Sequence, residues 1–493
     1  MSTALRPSAP TASPGSAEPT AARQNAGRRI RLLPPGLALA TFLIYAVFSL
    51  RRHDLVLTTG YDLGIFEQAV RGYAEGHAPL VALKGGDYNI LGDHFSPVLV
   101  TLAPLYWLWH SAKVLLLAQA ALMALPVLPL SRWALRRVGP AAAVTVAFGY
   151  GASWGIASAV GFDFHEITFA VPLMAYAMVA LGEQRWRSAV LWAAPLVLVK
   201  EDLGVTLAAV GAYVCWRGER RLGLLTVVGG IGASLLEMLV LLPAMSPSSS
   251  FAYWNTMGGG NDPGGHSLLS LPMDLISPPD KAQTLVLLLA PTLLLALRSP
   301  LLLIALPTLG WRMLSNNPNY WGTHYHYSAV LMPIVFAAFV EVLGRPRPEF
   351  GALSRRAVRL ALPASVLVTL MVVPQFPLGQ LGTADFWRPS TRAQAARTVL
   401  AQIPSGATVA ASNRLVPQLT NRCRVLEFGW PEGWTAAEWI VVEEADPMGW
   451  PLTPERERQE LAGAEQHGYA VVLEHGGVTL LRRQGPPAAV TPS

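Results

Sequence analysis

Residues 32–50, LLPPGLALATFLIYAVFSL, carry no charged side chain. A helix needs about 20 apolar residues to cross the hydrocarbon core of a bilayer. The stretch therefore reads as a transmembrane helix. It is too long for the apolar core of a signal peptide, and no clear small-residue cleavage site follows it, so it reads as uncleaved. Similar blocks recur at 113–131, 139–160, 164–181, 221–243, 282–297, 327–343 and 357–375. The 493-residue chain is 52% hydrophobic and 14% charged, whereas soluble domains carry about 25% charged residues. Mean hydropathy is +0.37. The fold class that follows is an α-helical polytopic membrane protein.

Charge sets the expected orientation. Arg6, Arg23, Arg28, Arg29 and Arg31 precede the first helix, which places the N-terminus on the cytoplasmic side. Residues 1–27, rich in Ala, Pro, Ser and Thr, read as a disordered tail. The long segment 51–112 is then outside, and its apolar stretch 96–109 reads as an interfacial or re-entrant helix. Segment 187–217 carries Lys200-Glu201-Asp202 near its middle. Each intramembrane charge costs about 2.5–3.5 kcal/mol. Two short helices, 187–199 and 203–217, avoid that cost and keep Arg217, Arg220 and Arg221 inside. The blocks 282–297 and 300–314 add two spans on either side of Arg298. The expectation is about eleven spans in a bacterial cell membrane, with the C-terminus outside.

Residues 385–485 are polar and mixed in pattern. Strands are expected at 406–411, 423–427, 438–443, 469–474 and 477–482, and helices at 390–402, 412–420 and 454–467. This alternation suggests a small extracytoplasmic α/β domain. The net charge of +6 does not indicate nucleic acid. The basic residues are mostly Arg in short loops between apolar blocks, as the positive-inside rule requires. The two cysteines, Cys215 and Cys423, offer neither a structural disulfide nor a cysteine-ligated metal.

This topology gathers the unusual polar residues on the outer side. The first loop holds Tyr61, Asp62 and Glu67, then Asp93 and His94. A later turn holds His165 and Glu166, another Lys200, Glu201 and Asp202, and a third His324 and His326. Such residues beside helix ends usually pair or line a water-filled cavity. Each also has a plain structural reading: Asp62 as a helix N-cap, the histidines as satisfied interfacial groups, Lys200 as one half of a local ion pair. His324 and His326 alternate, so in an extended segment they share a face. With Glu166 or Asp62 they could bind a divalent cation, though no spacing here is diagnostic.

YDLGIFEQAVRGYAEGHAPL at 61–80 and LGDHFSPVLVTLAPLYWL at 91–108 resemble a bacterial membrane-protein family, domain of unknown function 2079. FDFHEITFAVPLMA, VKED, HYHYSAVLMPIVFA and SNRLVPQLTNR are similar to it too. The likeness spans roughly residues 40–445, and departs at FHE, where many relatives carry a proline after the histidine. That family is similar in fold to the GT-C class of glycosyltransferases. The resemblance implies transfer of a sugar from a polyprenyl-phosphate-type lipid to an extracytoplasmic acceptor. It implies Asp62 as the acidic catalytic residue, with Lys200, Arg312 and the histidines as phosphate contacts. The alternatives are a polytopic transporter or a non-enzymatic membrane scaffold.

Overall fold

The computed structural model describes residues 18–86, 88–247, 273, 275–346, 353–430 and 433–485. Among them, five helices are long and apolar enough to cross a membrane: Ile30–Asp54, Lys113–Arg137, Arg220–Met245, His326–Leu343 and Arg355–Gln375. A sixth span arises if the pair Pro140–Gly151 and Trp154–Gly161, bent by 43°, is counted as one. Four other expected crossings are shorter apolar helices: Glu166–Gly182, Trp186–Leu198, Leu203–Trp216 and Pro300–Leu314. Burial sorts the spans by place. The apolar stretch of His326–Leu343 is 89% buried, so this helix is the centre of the bundle. Ile30–Asp54 and Arg355–Gln375 are each only 28% buried and Arg220–Met245 only 22%, which leaves their leucines to lipid tails.

Several elements depart from expectation. The first helix reaches back to Glu18, so part of the expected tail is helical; residues 1–17 lie outside the described residues. Much of the expected outer loop 244–281 lies outside them too. The block 282–297 is not one helix. The helix Pro279–Leu289 stops before Pro291, which lacks the N–H that would continue the ladder, and Leu293 and Leu294 then take positive φ. The block 300–314 starts as a 3-10 turn, Pro300–Ala305, before the helix Leu306–Leu314.

The segment around Lys200 is broken, as its charges require. Trp186–Leu198 and Leu203–Trp216 are separate, and Lys200-Glu201-Asp202 fall in the gap. The second piece packs on Arg220–Leu236 through glycines. A Cβ on Gly230 would stand 2.4 Å from the Gly204 carbonyl oxygen, so only small residues permit this approach. That closeness lets the Ser234 hydroxyl donate to the Glu201 carbonyl at 2.6 Å and fixes the charged turn.

Towards the C-terminus lies a five-stranded sheet built from Thr408–Ala411 (β3), Arg424–Glu427 (β4), Trp439–Glu443 (β5), Tyr469–His475 (β6) and Val478–Arg483 (β7). The first loop holds a two-residue pair, Leu80–Val81 (β1) with Tyr88–Asn89 (β2). The large sheet runs β4-β3-β5-β7-β6, parallel among the first three strands and antiparallel beyond. The helix expected at 412–420 is only a 3-10 turn at Val416–Gln418, because Pro417 and the tight return to β4 leave no room for more.

The sheet's carboxyl edge docks on the first loop. The Gly60 N–H donates to the Asn413 carbonyl at 2.8 Å, and the Tyr61 N–H donates to the Asn413 side chain at 3.1 Å. The Gln68 amide donates to the Val425 carbonyl at 2.9 Å. Arg51 and Arg392 reach across in opposite directions, to the carbonyls of Phe386 and Leu55.

Candidate functional site

Asp62 sits in the turn Gly60–Gly64, just before the helix Ile65–Ala74. A second turn faces it. Asp163 takes a left-handed conformation, φ 57°, which a short polar side chain tolerates better than most. Its carboxylate accepts the Thr59 N–H at 2.7 Å, and the His165 N–H donates to Gln119 at 3.0 Å. The two turns are thereby locked together, and His165 Nε2 lies 2.5 Å from Asp62 Oδ2. An ionised carboxylate only accepts, so Nε2 carries the proton.

These residues open onto a cavity of about 280 Å3. Tyr61, Asp62, Asp93, His94, His165, Glu166, Lys200, Glu201, Asp202 and His326 all line it, drawn from five separate stretches of chain. Its charges come in pairs: Lys84 with Asp93 at 2.6 Å, His94 with Glu201 at 2.8 Å, Lys200 with Glu166 at 2.8 Å. The Trp311 indole donates to Asp202 at 3.1 Å. Asp62 keeps 29% of its side chain exposed and makes no hydrogen bond through Oδ1 among the described residues.

The electrostatics follow from burial and pairing. Burial pushes the Asp62 carboxyl up, but His165 and Lys84 outweigh it and hold the group below its usual value. Burial would lower the Lys200 ammonium; Glu166, Glu201 and Asp202 keep it well above normal. Asp202, whose burial dominates, is pushed up to about 6. Asp62 is thus a cavity carboxylate held ionised, with one oxygen free of hydrogen bonds among the described residues.

Three expected site residues stand elsewhere. Glu67 is fully buried and bonds to Tyr106 and Thr420, so it ties the first-loop helix to the sheet. Arg312 is buried and donates to the carbonyls of Tyr320 and Tyr327, at 2.6 and 3.0 Å; it shapes the loop behind the wall. His324 is exposed, whereas His326 is buried and stacks on His165 with ring centroids 3.8 Å apart. The pair does not share a face because a 3-10 turn begins at His326.

The donor set does not suit a divalent cation. Each cavity carboxylate already faces a cation or an N–H, and among the described residues no three His, Cys, Asp or Glu side chains converge on one point. Lys84, Trp311, Tyr320 and Tyr327 also line the cavity, with Ile65, Phe66, Ile90 and Met238 as its apolar part. Aromatic residues at span ends are ordinary in membrane proteins, so sequence does not mark them.

A family model described as a predicted membrane protein (DUF2079) matches residues 52–480. The chain belongs to the DUF2079 family. Among solved structures, ArnT from Cupriavidus metallidurans bound to undecaprenyl phosphate is similar to this DUF2079 chain: TM-score 0.57, 15% identity, covering 92% of this chain and 98% of that one. The apo form of the same protein gives TM-score 0.57 at 13% identity, with the same coverage. At these identities the likeness is one of fold alone, in keeping with the similarity to GT-C enzymes that the motifs implied. Comparison with curated proteins finds no match.

Proposed function

We propose that this DUF2079 chain transfers a sugar from a polyprenyl-phosphate-type lipid to an acceptor on the outer face, with Asp62 as general base. The observation that carries this is the state of Asp62: ionised, oriented by His165 at 2.5 Å, with an oxygen open to the cavity. In the proposed step Asp62 takes the acceptor hydroxyl proton. The acceptor oxygen bonds to the anomeric carbon, and the bond to the donor phosphate breaks with its electron pair on phosphate. Lys84 and Lys200 would exchange a carboxylate partner for that phosphate. The undecaprenyl phosphate bound to ArnT, a protein of similar fold, belongs to this lipid class.

The broken segment weighs against transport. A transporter reading needs Lys200-Glu201-Asp202 at mid-membrane on one helix, with access from both sides. They lie instead in the break before Leu203, against the Asp62 turn.

Asp62→Asn keeps shape and removes charge. The variant is expected to accumulate normally and lose activity by at least about a hundredfold, the low end for a general base. If Asp62 were only a cap, the loss would be near 1 kcal/mol of stability on truncation to Ala, and Asn would be nearly silent. Full activity of well-expressed Asp62→Asn removes the proposal.

A further inference from the structure

The central span joins two different cavities. His326 at its start lines the Asp62 cavity, and Leu343 at its end lines another, of about 800 Å3. Eighteen helical residues separate them by about 27 Å. The bent pair Pro140–Gly161 joins the same two ends in the opposite chain direction, with Pro140 in the second cavity and Asp163 just beyond its far end. The second cavity therefore lies at the opposite end of the bundle from the candidate site.

Its lining is basic and apolar. Arg137, Arg345, Arg355 and Arg359 line it, with no Asp or Glu among its described lining residues. Arg345 is paired with Glu341 at 2.7 Å. Arg137, Arg355 and Arg359 have neither an ion-pair nor a hydrogen-bond partner among the described residues. Two helices, Pro140–Gly151 and Arg355–Val372, open into the cavity with their N-termini. Their orphan N–H groups and dipoles add positive potential to that of the guanidiniums. Leu343, Val358 and Leu362 form an apolar floor. Beyond it Val144, Leu360 and Leu367 are exposed, in the span region where only lipid tails cover such side chains.

We propose that this cavity binds the headgroup phosphate of an anionic phospholipid, with Arg137, Arg355 and Arg359 on the phosphate and an acyl chain along the Leu360–Leu367 side. A diffuse basic surface would attract anionic lipid without a cavity. Here three guanidiniums without a partner among the described residues and two helix N-termini line one space, and its floor continues into the lipid-facing surface. Basic pockets between membrane helices suit anionic headgroups for this reason.

The test uses the full-length chain in detergent, titrated with phosphatidylglycerol or phosphatidylcholine, with retained lipid counted by native mass spectrometry. Retention of phosphatidylglycerol over phosphatidylcholine is expected. Arg355→Gln and Arg359→Gln should each weaken it about fivefold, the loss for one basic residue at an anionic surface. Arg356→Gln removes the same charge from the neighbouring position, outside the cavity lining, and should leave retention unchanged. Equal weakening by Arg356→Gln would show surface attraction and overturn the site. So would equal retention of phosphatidylcholine, or displacement of the lipid by excess inorganic phosphate. None of these readouts depends on sugar transfer.

Discussion

Gly64 is the point at which the sheet domain presses on the Asp62 turn. A Cβ there would stand 2.7 Å from Val416 Cγ1 and 3.0 Å from Leu83 Cδ1. Its backbone is helical, φ −64°, so alanine carries no conformational penalty and the effect of substitution is steric alone. Gly64→Ala is expected to cost about 1–3 kcal/mol by overpacking and to lower any Asp62-dependent activity with it. Val416→Ala deletes the nearest obstructing atom, so the double variant should recover much of both. A double variant no better than Gly64→Ala would show that the docking geometry is irrelevant to Asp62. At this scale sequence was informative for some residues and silent for others. Carboxylates and histidines stand out beside helix ends because burying them is expensive, and ten of the thirteen expected site residues line one cavity. Glu67 and Asp62 share one motif, and nothing in that motif says that Glu67 turns away to Tyr106 and Thr420. That separation depends on where residues some 350 positions later in the chain are docked.

The element that carries Glu67, the helix Ile65–Ala74, couples docking to pH. Burial pushes the Glu67 carboxyl up to about 7, against the downward pull of its bonds to Thr420 and Tyr106. The folded-state value lies above that of the unfolded chain, near 4.5. The docked state therefore holds the proton more tightly. Its stabilisation is complete below about pH 4.5 and is lost as pH rises through about 7. The change is on the order of 3 kcal/mol. Tm should fall between pH 5 and pH 8, and Glu67→Gln, which mimics the protonated group, should flatten that fall. An unchanged slope in Glu67→Gln would assign the pH dependence elsewhere. Elements were legible where one physical signal dominated. The break at Lys200 followed from charge cost, and the strand β5 from its apolar β-branched run at 440–442. The interruption at Pro291 was hidden by unbroken hydropathy across 282–297.

The whole molecule is polarised, and its arginines show the direction. At one end Arg136 pairs with Glu183, Arg345 donates to the Arg298 carbonyl, and Gly344 packs on Arg137. Arg355 and Arg359 join them at the same cavity. At the other end stand Asp62, His165, Lys200 and the docked sheet. The first span leaves the bundle at Asp54, and Arg51 near its end bonds to the Phe386 and Arg388 carbonyls beyond the last span. Both spans therefore run from the arginine-rich end to the sheet end. This parity needs no exact count of crossings, which the short helices make ambiguous to hydropathy alone. Positive residues in short loops remain cytoplasmic. The sheet domain is then expected outside, and the turn at Gly218, flanked by Arg217, Arg220 and Arg221, inside. Reporter fusions check this directly. A fusion after Gly485 should be active only with a reporter that folds outside the membrane, and a fusion at Gly218 only with a cytoplasmic one. A cytoplasmic signal at Gly485 would invert the orientation and place the Asp62 cavity on the inner face. Lipid-linked sugar presented outside could not then reach it, so the same pair of fusions bears on the proposed reaction as well as on the topology.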